Sequence, residues 1–298
     1  MNHATVVLAI TNGKNLMKGL FFEYESYIRL GSFLGILVLL TIWEISSPKR
    51  ELLQLRRFRW FGNIGLIVIS SVLVRFIIPT AAVGVALHVQ QDQVGFLNQI
   101  ELPFIIKFFI AFILMDLAIY FQHVIFHALP IFWRFHRVHH SDLDCDITTG
   151  VRFHPFEMVI SILYKFLVII SIGAPVITVV IFEIALNAAS MFTHSNIKIP
   201  QSIERLLRLI VVTPNMHRIH HSINENETNS NFGFFISIWD RLFGTYIKEP
   251  KEGHENMQIG LEDFREPKWQ NLRWLLYLPF VSSIKDYAIN KRTLDNRD

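Results

Sequence analysis

Residues 103–140 read PFIIKFFIAFILMDLAIYFQHVIFHALPIFWRFHRVHH, and this stretch decides the fold. Pro103 to Phe126 is apolar over about the 20 residues that a spanning helix needs. The span ends in His123-x-x-x-His127, and nine residues later comes His136-Arg137-Val138-His139-His140. Residues three and four apart share a helix face. The pair can therefore chelate one ion, and the triplet can aim three imidazoles into one space. Asp116, Tyr120, His123 and His127 stand 4, 3 and 4 apart, on one face of the same helix. An acid inside a spanning helix is costly and usually functional. Asp116 is thus expected to orient a ligand ring by accepting its free N–H, with Tyr120 beside it.

Outward from this stretch, further spans are expected at Leu30–Ile45, Phe61–Ile78, Phe156–Ser171 and Pro175–Phe192. Only Gly173-Ala174-Pro175 separates the last two, which predicts a tight hairpin. Residues 80–88 are also apolar and either continue the second span past Pro79 or re-enter the membrane. Thr5–Ile10 is too short for a signal peptide and has no charged leader. The expected fold class is an all-α integral membrane protein of four to five spans, with a cytoplasmic helical cap that carries the histidines. Three segments follow: an N-terminal membrane region (1–102), a catalytic region (103–250) and a cytoplasmic or interfacial tail (251–298). In that tail Trp269–Phe280, and before it Ile203, Leu206, Leu207 and Ile210, read as helices lying in the membrane interface.

Composition agrees with this reading. Of 298 residues 51% are hydrophobic and 18% charged, against roughly 25% charged in soluble domains. Mean hydropathy is +0.35. Disordered, collagen-like and disulfide-rich secreted classes are excluded. The single cysteine, Cys145, cannot pair internally and reads as an ordinary loop residue. Much of the net charge of +3 comes from Lys49, Arg50, Arg56, Arg57 and Arg59. This cluster reads as a topology signal and not as a nucleic-acid surface. It places the first loop in the cytoplasm, and alternation from there puts every dense histidine cluster on the cytoplasmic side.

A third cluster, His217-Arg218-Ile219-His220-His221, and His194 at the end of the fifth span complete the set. By chance HxxHH would occur about 0.02 times in such a chain, so two copies are no accident. Neutral imidazole suits iron, zinc, copper and nickel. Nine nitrogens exceed what one metal uses, whereas two metals can take four or five each and keep open positions. On the fifth span Glu183, Asn187, Ser190 and His194 share a face, so Asn187 is a ligand or supports one. Asn215, before the third cluster, is a further supporting candidate. His154, in Arg152-Phe153-His154-Pro155, is assigned a structural or substrate-edge role.

These clusters and their flanks resemble the fatty acid hydroxylase/sterol desaturase superfamily of membrane di-iron oxygenases. The likeness covers about Pro103 to Ile247. It rests on the three boxes in order and on Asp116-x-x-x-Tyr120, Ser141, Arg152-Phe153-His154-Pro155, Thr213-Pro214, Asn231-Phe232-Gly233 and Trp239-Asp240-Arg241-Leu242-Phe243-Gly244-Thr245-Tyr246. The last motif is most similar to the sterol-desaturase-like and alkylglycerol-monooxygenase-like branches. The resemblance implies that His123, His127, His136, His139, His140, His194, His217, His220 and His221 are metal ligands. It further implies two iron ions, dioxygen as co-substrate, and a lipid substrate that is hydroxylated or desaturated; zinc could replace iron in purified protein. Fatty acid 2-hydroxylases carry a further histidine at the place of Lys198, so the likeness to that branch is weaker. No HPGG heme motif follows His154-Pro155, so electrons are expected from a separate donor protein. The alternative is a non-catalytic membrane metal-binding or lipid-binding protein. A metal transporter would need a polar path, and away from the histidine ends only Arg75, Asp116, Glu183 and Asn187 offer one.

Overall fold

The computed structural model describes residues 3–78, 80–281 and 289, with side chains from Tyr24 onward. Its long helices are α1 (His3–Ser46), α2 (Arg56–Ile77), α3 (Ala82–Gln91), α4 (Phe104–Ala128), α5 (Pro130–His140), α6 (Pro155–Ile172) and α7 (Val176–His194). Shorter helices follow: α8 (Gln201–Leu207), α9 (Pro214–His220), α10 (Glu225–Thr228), α11 (Ile238–Leu242), α12 (Gly253–Asn256) and α13 (Leu272–Tyr277). Among the described residues there is no β-strand, only isolated bridges. Five stretches are long and apolar enough to cross a bilayer: Tyr24–Ser46, Arg56–Asn98, Phe104–Ala128, Pro155–Ile172 and Val176–His194. The all-α membrane fold expected from sequence is the fold observed.

The helix ends explain how the chain returns to one place. Leu129 closes α4, and Pro130 at the first position of α5 turns the chain at once, folding the second histidine box back onto the first. Gly173 caps α6 in the left-handed region (φ 72°), and α7 starts at Val176, which makes the expected hairpin. Thr213 caps α9 by accepting from the Met216 N–H, and Pro214 stands at its first position. This seven-residue helix holds His217 and His220 of the third box, and His221 follows it as the C-cap.

The apolar residues between α2 and α4 form the separate helix α3. Ten residues rise only about 15 Å, too little to cross a bilayer. Ala82, Val83 and Ala86 of α3 join Ala111, Ile169, Val176, Val179 and Phe182 in a core at the hairpin end, away from the histidines.

At the opposite end, three segments lock around the second box. Arg59, in the first turns of α2, is fully buried. It grips Asp142 with two hydrogen bonds (2.7 and 2.9 Å), reaches Asp146 at 2.6 Å, and donates to the Asp144 carbonyl. Arg152 donates to the Val138 carbonyl, the Ser141 hydroxyl, Asn63 and Gln270. Glu44, at the end of α1, accepts from the Ile147 and Asn196 N–H groups. Residues from 1–102, 103–250 and 251–298 therefore meet in one network. The sequence reading treated Arg50, Arg56 and Arg59 as loop charges. Instead Arg50 donates to the Met257 carbonyl, Arg56 pairs with Glu44, and Arg59 is interior.

The expected interfacial helix over 269–280 is broken into a 3₁₀ turn, α13 and a second 3₁₀ turn. Leu275 and Leu278 are fully buried against Leu66, Trp133 and Val138, and Arg137 donates to the Leu278 and Val281 carbonyls. This piece is part of the core, and of its large apolar side chains only Tyr277 and Phe280 are strongly exposed. Around α8, by contrast, Ile203, Leu206, Leu209 and Ile210 present an apolar face.

Candidate metal centre

Nine histidines from α4, α5, α7, α9 and the residue after α9 converge in two groups. His123, His127, His136, His140 and His220 form one, and His139, His194, His217 and His221 the other. Within each group one ligand atom per residue lies within 4.8 Å of all the others. All nine side chains are buried. In the first group His123 Nε2 is 3.1 Å from His136 Nε2, and His127 Nε2 is 3.1 Å from His140 Nε2. In the second, His194 Nε2 lies 3.0, 3.1 and 2.9 Å from the Nε2 atoms of His139, His221 and His217.

The opposite edges of the rings show which nitrogens carry protons. His123 Nδ1 donates to the Phe232 carbonyl (2.9 Å), and His127 Nδ1 to Asn229 Oδ1 (3.2 Å). His136 Nδ1 donates to Glu157 Oε1 (2.6 Å), and His220 Nδ1 to the Ser230 carbonyl (2.8 Å). His194 Nδ1 donates to the Ser190 carbonyl at 2.6 Å. With the proton held at Nδ1, each of these rings turns an Nε2 lone pair inward. His220 Nε2 has no hydrogen-bond partner. Lone pairs crowded at 3 Å repel one another, and a cation among them removes the conflict. The donor set thus fits metal ions.

Burial, followed by mutual repulsion between rings, holds His136, His139, His140, His217, His220 and His221 well below the ordinary histidine range. They are neutral and ready to ligate. The two groups differ in their support. His139, His217 and His221 have no partner at Nδ1 among the described residues, whereas four rings of the first group do.

Residues 108–245 match the model of the fatty acid hydroxylase family, and these residues span the helices that carry the nine histidines. The chain is 24% identical over 252 residues to an ornithine lipid hydroxylase of Rhizobium tropici, covering 82% of this chain and 75% of the relative. It is 30% identical over 142 residues to the alkylglycerol monooxygenase of Homo sapiens, covering 47% of this chain and 30% of the relative. It is 24% identical over 137 residues to the cholesterol 25-hydroxylase of Rattus norvegicus, covering 46% of this chain and 45% of the relative. The chain thus spans less than half the length of the last two relatives. No solved structure matches it.

The geometry around the histidines corrects several expectations about supporting residues. Asp116 is buried but touches no histidine. Its Oδ2 accepts from the Ile236 N–H (3.1 Å) and Trp239 Nε1 (2.8 Å). It anchors the loop that supplies the Phe232 carbonyl, so its effect on His123 is indirect. Tyr120 bonds Thr245 at 2.9 Å, and Asn215 accepts from Arg218 at 2.7 Å; neither reaches a ligand ring. Asn187 lines a cavity beside the histidines and does not join either group. His154 caps α6, accepting from the Phe156 N–H and donating to the Leu276 carbonyl. Cys145 is buried in the loop after the second box.

Sequence reasoning missed Glu157 and Asn229, which hold His136 and His127. The signal for Glu157 is an acid within an apolar helix, the same signal that Asp116 carries. The cavity opens against His123 and His136 of one group and His139 and His217 of the other, with Phe33, Ile67, Phe153 and Phe234 in its walls.

Proposed function

We propose that this chain is a membrane-bound di-iron hydroxylase of a lipid, taking dioxygen as co-substrate and electrons from a separate donor protein at the cytoplasmic face. The observation that carries this reading is the sorting of nine buried imidazoles into groups of five and four beside one largely apolar cavity. His123, His127, His136, His140 and His220 would hold one ion, and His139, His194, His217 and His221 the other. When bound, the irons supply the activation of dioxygen that attack on an unactivated C–H bond requires.

The chain's own residues set up that chemistry. Glu157, Asn229 and the carbonyls of Ser190, Ser230 and Phe232 keep the ligand protons at Nδ1. Phe33, Phe153 and Ile67 exclude water and guide a hydrocarbon chain to the rings. The relatives' names favour hydroxylation over desaturation. Imidazole affinity alone favours copper and zinc over iron, so protein purified without iron supplementation is expected to carry zinc.

Metal analysis after iron-replete expression tests the proposal. We expect about two irons per wild-type chain, about one in either His139→Ala or His220→Ala, and none in the double variant. Wild-type protein free of metal, with the double variant equally well folded, would sink it and leave lipid binding as the surviving function.

A further inference from the structure

The cavity is not uniformly greasy. On α6, Glu157, Ser161 and Lys165 stand four apart on one face, and on α7 Glu183, Asn187, Ser190 and His194 form the facing stripe. Gln122 of α4 donates to Ser161 at 2.8 Å. Lys165 Nζ pairs with Glu183 at 2.8 Å, and Glu183 also meets Arg29 of α1 at 3.0 Å. Arg29 in turn lies 3.6 Å from Glu25. Two cations and two acids balance, so this cluster has no call for an ionic ligand.

Unused hydrogen-bonding capacity remains. Lys165 has three donors and spends one on Glu183. Gln122 Oε1 is buried and has no hydrogen-bond partner among the described residues. Gln122, Ser161, Lys165 and Asn187 all line the cavity. Free donors and a free amide end deep in a bilayer protein are expensive unless a ligand uses them.

We infer that this belt recognises, on the lipid substrate, a group that both donates and accepts hydrogen bonds: an amide linkage or a chain hydroxyl. The inference rests on the hydroxylase reading and deepens it. Ser161 and Lys165 lie one and two helical turns beyond Glu157, about 6 and 12 Å along the axis. The carbon offered to the histidines is therefore set by its distance from this polar group, not by its distance from the chain end.

The test is lipid binding to the detergent-purified protein, followed by native mass spectrometry, with metal content measured separately. The probes are N-methylpalmitamide, methyl 3-hydroxypalmitate and methyl palmitate. The first and last differ only by N–H against O. We expect the amide or the hydroxy ester to bind about tenfold more tightly than methyl palmitate. That preference should shrink to about twofold in Gln122→Leu and in Lys165→Met, and return in Lys165→Arg. Preference for the amide alone identifies an amide linkage, and preference for the hydroxy ester alone identifies a chain hydroxyl. Gln122→Leu leaves the Lys165–Glu183 pair intact, so it reports on recognition even if Lys165→Met fails to fold. Equal binding of all three lipids by wild type, or an unchanged preference in Gln122→Leu, overturns the inference. Because binding is read without turnover, this result is separate from the iron count that decides the hydroxylase reading.

Discussion

A carboxylate 2.6 Å from an imidazole nitrogen settles which proton that ring keeps, and Glu157 does this for His136. Replacing it with alanine should weaken metal binding in the five-histidine group by about 10–100-fold, with Glu157→Gln nearer the lower figure. Competition with a chelator measures this directly. The four-histidine group has three rings unsupported at Nδ1. Chelation of wild-type protein should therefore remove metal in two phases, the four-histidine site first, and a single phase would refute that order. At this scale the sequence was legible where the information is local. Eight of the nine histidines declare themselves through spacings of three and four residues, and His194 through its place at the end of a span. Their supports do not, because three of them are backbone carbonyls, of Ser190, Ser230 and Phe232, which any residue could supply. Asp116 was read with the wrong partner for a related reason. Periodicity shows which side chains share a face, not what packs against that face.

Among the elements, α6 depends on an unusual cap. His154 Nδ1 accepts from the Phe156 N–H while its Nε2–H donates to the Leu276 carbonyl, so the ring must be neutral. Burial lowers its pKa to about 4, partly offset by the bond to the Leu276 carbonyl. A histidine depressed from 6.5 contributes stability above that value and loses it as pH falls toward 4. Between pH 7.5 and pH 5 this ring should cost the fold about 2 kcal/mol. Thermal unfolding in detergent should show a steeper acid loss for wild type than for His154→Gln, which starts lower because its cap is weakened.

The junction of α2 with the second box should be more sensitive still. Burial alone would raise the Asp142 pKa, but Arg59 and Arg152 hold it well below the usual carboxylate range. Arg59→Met removes the cation that bonds both Asp142 and Asp146, leaving Asp142 with only Arg152 nearby, and should cost about 3–5 kcal/mol in the same assay. Spans and hairpin were legible from apolar length and from Gly173. The interior role of Arg59 was not, because an arginine flanking a span has the same sequence signature whether it faces lipid headgroups or a buried aspartate.

For the molecule as a whole, α1, α4 and α7 end, and α2 and α6 begin, at the histidine layer, so the site lies at one face of the bundle. Orientation can be read by labelling engineered cysteines. Cys145 gives no background, being buried with its thiol pushed up to about 12. Lys251→Cys, beyond the histidine layer, should react with an impermeant maleimide only when the cytoplasmic side is opened. Asp92→Cys, at the hairpin end, should react in intact cells. The reverse pattern would place the histidines outside. The chain order of the ligands carries a further consequence, for biogenesis. Four of the five residues of one group, His123, His127, His136 and His140, precede α6. The other group lacks both His217 and His221 until the chain has passed its last span and emerged beyond it. A nascent chain therefore offers one nearly finished coordination sphere early and the second only at the end of synthesis. Under the two-metal proposal, loading should run in that order, and a product truncated before His217 should hold at most the first ion.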